Sequence, residues 1–228
     1  MTQEKETPVT NSGLPAAVLL DMDGTSIDSE PLWIESEVKL AESFGREFDP
    51  AQGANFVGTS LLSTAEWFAN WIPTDTDPKI LERRLLQYVV DHFEGDRILY
   101  RPGFFELLDL CDRLGIPVGI VTSSHRDFLD KMLAAVGPER FAVSLAGNEV
   151  ENQKPDPEPY RTAAQILGVA IEDCVVVEDS NSGVASAVAS GAHAVGIPCM
   201  TQVKPQPGLT VLESLHQLDE AKLRELVA

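Results

Sequence analysis

Four short runs of almost unbroken aliphatic residues, at 16–20, 117–121, 174–177 and 192–197, recur along the chain with loop residues and helical patterns between them. A half-exposed strand would alternate apolar and polar residues; runs with no polar side belong to strands covered on both faces, as in a parallel sheet sandwiched by helices. A weaker fifth candidate lies at 141–146. Helical patterns at 104–114, 126–136, 158–167 and 182–190 stop at Gly115, Gly137, Gly168 and Gly191, residues suited to the left-handed turn that ends a helix. A further terminal helix is predicted over 213–227. The expected architecture is a doubly wound, Rossmann-like α/β domain, whose ligands gather at the carboxyl ends of the strands.

Residues 31–96 break this rhythm, with helical patterns and no good strand. Ile34, Val38 and Ala41 form one stripe, Leu61, Ala65, Phe68 and Ile72 a second, and Leu81, Leu85, Tyr88 and Val89 a third. Pro31 and Pro78 suit first helical turns, the latter with Asp77 as cap. The expected domains are a core of 15–30 and 97–228, an inserted α-helical cap of 31–96, and a loose tail of 1–14. A bundle joined twice to the core is suited to act as a lid, with Arg101-Pro102-Gly103 at the returning hinge.

The 17 basic and 36 acidic residues leave a net charge of −19, whose average field repels nucleic-acid backbones and anionic membranes. Small phosphorylated substrates stay open to such a chain, because a bound divalent cation reverses the local potential. Cys111, Cys174 and Cys199 are scattered and odd in number, without zinc spacing, and fit a reducing, cytoplasmic compartment. The polar opening residues lack the apolar stretch of a signal peptide, and no run reaches membrane-spanning length.

The chemistry should lie just after the apolar runs. Asp21-Met22-Asp23-Gly24-Thr25 follows the first: side chains two apart project together, so Asp21 and Asp23 face one pocket while Met22 packs. Two acids there are equally compatible with loop capping; buried together they call for a cation. Glu178-Asp179-Ser180 ends a later run with a second acidic pair, an oxygen-rich set suited to magnesium or to a helix cap. Thr122-Ser123-Ser124 sets hydroxyls and backbone N–H groups at a strand-to-helix junction, where anions bind and where hydroxyls also cap. Lys154 stands among prolines that restrict its backbone, and is a solvated charge or an inward-aimed ammonium.

In order and position, these four segments over about residues 16–200 resemble the motifs of the haloacid dehalogenase superfamily, in the β-phosphoglucomutase and phosphatase branch with a helical cap after the first motif. The resemblance implies that Asp21 is a nucleophile forming an aspartyl-phosphate and Asp23 the acid and base serving both half-reactions. It implies magnesium held by the Asp21 and Asp179 carboxylates and the Asp23 backbone carbonyl, with Glu178 assisting, and phosphoryl oxygens held by Thr122, the Ser123 backbone and Lys154. The expected activity is hydrolysis of a small phosphomonoester, with no nucleic-acid or membrane partner and a monomer as the default state.

Asp23 argues against halide chemistry, and a phosphonatase would need a cap lysine, for which Lys39 and Lys79 are the main candidates, both on solvated stripes. A β-phosphoglucomutase is the nearest competitor, but that family usually carries a histidine where Trp33 stands and a cap Gly-x-Ser-Arg where this chain has Gly58-Thr59-Ser60-Leu61. Without the arginine the cap loses its hold on a second phosphate. Trp33, Gly58, Thr59 and Ser60 are therefore the candidate substrate contacts from the cap, Trp33 being equally suited to core packing. Ser26 replaces a usual apolar residue, and His125 suits a solvated helix start. A non-catalytic binding or regulatory protein on the same fold is the alternative from another class; the intact Asp21, Asp23, Lys154 and Asp179 argue against it.

Overall fold

The computed structural model describes residues 13–56, 59–200 and 202–228, so most of the predicted tail, together with Gly58, lies outside the described residues. Strand β1 (Ala17–Leu20) is followed by helices α1 (Glu30–Glu42), α2 (Leu61–Trp71) and α3 (Pro78–His92). The chain then returns through α4 (Phe104–Leu114), β2 (Val118–Val121), α5 (Arg126–Val136), β3 (Val143–Leu145), α6 (Glu158–Leu167), β4 (Cys174–Glu178), α7 (Asn181–Ser190), β5 (His193–Gly196), β6 (Leu209–Val211) and α8 (Glu220–Leu226).

All six strands pair in parallel, in the order β3-β2-β1-β4-β5-β6. Strand β1 alternates between two cores. Val18 and Leu20 join Phe104, Leu107, Phe128 and Leu129 on one face, while Ala17 and Leu19 join Tyr160, Ala163 and Ala187 on the other. Helices thus cover both faces, which is why these strands carry no polar side. The strand order reverses direction between β1 and β4, and there the crevice opens.

The inserted helices have a core of their own, from Leu40 and Ala41 on α1, Ala65 and Phe68 on α2 and Leu81 and Leu85 on α3. Phe48 and Phe68, with ring centroids 5.2 Å apart, anchor an aromatic cluster with Phe56, Trp67 and Trp71. Asp77 caps α3 by accepting from the Lys79 N–H. The two connections to the core run side by side, through a bridge between Ile27 and Tyr100 and a bond from Asp28 N–H to Leu99 O.

Three expectations need correction. The run at 213–227 is not one helix: a short 3-10 turn at Leu215–Gln217 is broken from α8 by Asp219, whose side chain caps the new helix. Strand β6 has no counterpart in the predicted strands, because a three-residue, partly exposed edge strand carries too little apolar pattern. On α1 the buried residues are Leu32, Ser36, Glu37, Leu40 and Ala41: of the predicted stripe Ala41 is buried and Val38 packs partly buried on the cap core, but the helix also turns Ser36 and Glu37 to a cavity, which the stripe did not foresee.

Candidate active site

Asp21 leaves β1 beside β4, its N–H donating to Val177 O at 3.0 Å, which sets it next to Glu178. Met22 is fully buried in the core, and Asp21 and Asp23 line one cavity. Gly24 makes the turn with φ +82°, and a methyl group there would overlap the Asp179 carboxylate. The tight turn and the approach of Asp179 therefore both depend on glycine.

The Asp21, Glu178 and Asp179 carboxylates lie with one oxygen each within 4.8 Å of the others, all three residues buried. Lys154 is the cation among them. Its ammonium donates to Asp21 Oδ1 at 2.6 Å and Val121 O at 2.8 Å, and lies 2.7 Å from Glu178 Oε1, so all three N–H bonds are used. Tyr160 donates to the same Glu178 oxygen at 2.6 Å, with its ring 5.0 Å from the Lys154 nitrogen. Burial opposes charge on Lys154, but Asp21 and Glu178 outweigh it and raise its pKa. Burial pushes Asp21 up, reinforced by Glu178 and opposed by Lys154; burial and the Asp21 charge push Asp179 up in the same way. One ammonium among three buried carboxylates leaves negative charge uncompensated, and an all-oxygen donor set of this kind fits magnesium.

Asp23 is turned away from that triad. Its Oδ2 accepts from Ser124 Oγ at 2.7 Å and Thr122 Oγ1 at 3.2 Å, and its Oδ1 from Trp33 Nε1 at 3.3 Å and from Ser29 Oγ. Ser29 stands at the N-cap of α1 but makes no capping bond; its hydroxyl donates to Asp23. Trp33 packs edge-on against Phe128 at 5.7 Å and also borders the cavity.

Thr122, Ser123 and Lys154 line the cavity with Asp21, Asp23 and Asp179, whereas Glu178 stands behind it. Thr59 and Ser60 reach the rim, Ser60 capping α2 through Ser63 N–H. Ser26, in place of a usual apolar residue, is fully buried and donates to Asp21 O at 2.6 Å. Sequence reasoning missed Ser29, Tyr160, Glu30 and Glu37. Ser29 beside Pro31 looks like an ordinary helix cap, and Tyr160 like a core aromatic; nothing local marks either.

Residues 18–197 match the family model for haloacid dehalogenase-like hydrolases, and the chain belongs to that family. It is 32% identical over 207 residues to hexitol phosphatase A of Escherichia coli, covering 90% of this chain and 93% of that protein. It is 29% identical over 181 residues to a phosphorylated carbohydrates phosphatase of Thermotoga maritima, covering 77% and 81%. The structure of CbbY from Rhodobacter sphaeroides in complex with phosphate superposes with a TM-score of 0.83 at 26% identity, covering 92% of this chain and 99% of that one.

Proposed function

We propose that this hydrolase is a magnesium-dependent phosphatase that cleaves a small phosphomonoester, of the sugar or polyol phosphate class, through an aspartyl-phosphate on Asp21. The observation that carries the reading is the placement of Asp21 in one cavity with Asp23 while Lys154 holds its carboxylate at 2.6 Å. The names of the two phosphatase relatives support the substrate class.

An Asp21 oxygen attacks phosphorus, forming the acyl-phosphate bond as the bond to the leaving oxygen breaks. Asp23 gives its proton to that oxygen, then takes one from the water that cleaves the acyl-phosphate, returning Asp21 as a carboxylate and releasing phosphate. The Ser29, Trp33, Thr122 and Ser124 donors fix where the Asp23 carboxyl points. Thr122 and the Ser123 backbone border the space for the phosphoryl oxygens. Magnesium would be held by Asp21 and Asp179, with Glu178 and the Asp23 carbonyl assisting, and would supply charge neutralisation for the incoming phosphate.

Among the described residues lining the cavity, only Lys154 and His125 are basic, and Leu61 packs into apolar neighbours where a mutase would need an arginine. This favours water over a sugar phosphate as the acceptor. The test is phosphate release from sugar and polyol phosphates. Turnover should stop with EDTA, return with magnesium, and be absent in Asp21→Asn; retained turnover in that variant sinks the assignment.

A further inference from the structure

Glu37 and Glu30 stand two turns apart on α1, and both border the cavity that holds Asp21. Glu37 is only 5% exposed, and its Oε2 has no hydrogen-bond partner. A buried carboxyl oxygen without a partner costs stability, more if the group is charged. The fold nevertheless makes room for it. Gly53, also at the cavity wall, would place a methyl group 3.0 Å from that oxygen and 2.7 Å from Ile34 Cγ1, so its lack of a side chain leaves the carboxyl its space.

Nothing in the reaction at Asp21 uses these two acids. With the phosphoryl group at Asp21, the rest of a substrate must extend under the inserted helices. There it meets Glu30, Glu37 and the hydroxyl-bearing Ser36 and Thr64, with no lysine or arginine among the described residues of that wall. A second phosphate or a carboxylate would find no lysine or arginine there; a hydroxyl or an ammonium would find acceptors.

We propose that Glu37, seconded by Glu30, is the specificity-determining residue of the cavity: it bonds a hydroxyl or ammonium on the leaving group and turns away substrates carrying a second anion. This rests on the phosphatase reading above. Burial, with the Glu30 charge behind it, pushes the Glu37 pKa up to about 8; an ammonium beside it would draw it back to a carboxylate, whereas a second anion would push it higher still and find no lysine or arginine to offset its own desolvation.

The experiment compares kcat/KM of the wild type, Glu37→Gln and Glu37→Leu, with magnesium, on five probes. These are p-nitrophenyl phosphate, which lacks donors, sorbitol 6-phosphate, glucosamine 6-phosphate, phosphoglycolate and fructose 1,6-bisphosphate. The wild type should prefer the sorbitol or glucosamine ester over phosphoglycolate and fructose 1,6-bisphosphate, the two probes with a second anionic group, by ~100-fold. Glu37→Leu should lower kcat/KM on the preferred ester by ~10-fold or more through KM, and leave p-nitrophenyl phosphate within about threefold. Glu37→Gln should narrow the preference against phosphoglycolate, and a loss on glucosamine 6-phosphate larger than on sorbitol 6-phosphate identifies the ammonium as the group bound. Equal losses on p-nitrophenyl phosphate and the preferred ester, or an unchanged preference in both variants, overturn the proposal. If Glu37→Leu does not fold, the isosteric Glu37→Gln decides alone. Absence of magnesium-dependent p-nitrophenyl phosphate cleavage in the wild type is a different failure, that of the phosphatase reading itself.

Discussion

Lys154 Nζ donates to Asp21 Oδ1 at 2.6 Å across 133 residues of sequence, with side chains only 4% and 9% exposed. On the proposed mechanism, an ammonium so placed would orient the Asp21 carboxylate for attack and offset its repulsion from phosphate. Lys154→Met keeps the length of the side chain and removes the charge. Taking away one partner of a buried pair costs ~3–5 kcal/mol, a figure that shrinks where the orphaned carboxyls can protonate. Denaturant unfolding at neutral pH should show that loss, and kcat should fall ~100- to 1,000-fold. A stable, fully active variant would mean that the ammonium is dispensable.

Magnesium removal should act on stability as well as on turnover. Asp21, Asp179 and Glu37 have pKa values raised above those of the unfolded chain, by burial first and by neighbouring acids second. Between the unfolded and folded values the native state binds more protons than the unfolded one, so ∂ΔG/∂pH is negative there. The metal-free protein should therefore lose stability as pH climbs out of the ordinary carboxylate range through about 9, the value reached by Asp179. On the proposed site, magnesium would take over at Asp21 and Asp179 what protons do at low pH. The Tm difference between magnesium and EDTA should be larger at pH 8.5 than at pH 5.5, read by calorimetry; a difference independent of pH would count against these carboxylates as its ligands.

The parts of the site that were legible sit where one periodicity gives way to another. Asp21, Thr122 and Asp179 each follow an apolar run whose end is visible in the sequence, and β1, β2 and β4 place those ends side by side. Lys154 was half legible: its prolines mark a constrained loop, but its burial against Asp21 and Glu178 is set by strands far away in sequence. The inward face of α1 was misread because Ser36 and Glu37 look like surface residues until a cavity is known to lie over them. Ser29 illustrates the same limit, since its hydroxyl had two possible destinations and only the folded loop selects Asp23 over the helix terminus.

Gly183 should behave against its helix propensity. It lies in the first turn of α7, where Ala would ordinarily stabilise by up to ~1 kcal/mol. Here a methyl group would overlap the Glu178 carboxylate, which already holds Lys154 and Tyr160. Displacing that carboxylate loosens Lys154 and, through it, Asp21. Gly183→Ala should therefore lower Tm and weaken activation by magnesium; a raised Tm with unchanged magnesium dependence would show that Glu178 can move without consequence.

Trp33 offers the sharpest separation of packing from chemistry. Its indole N–H reaches Asp23 Oδ1 at 3.3 Å while its ring meets Phe128 edge-on. Trp33→Phe keeps an aromatic ring against Phe128 and deletes the donor. Ser29 remains on the same oxygen, so the Asp23 carboxyl should stay in place but lose part of its orientation. The expected result is a kcat lowered by ~10-fold, within the share of catalysis that general acid and base groups supply, with KM and Tm little changed. The loss should be greatest for substrates with poor leaving groups, which depend most on the proton from Asp23, and least for p-nitrophenyl phosphate, whose phenolate departs without it. A uniform loss across leaving groups, or a fall in Tm with kcat intact, would assign Trp33 to packing alone.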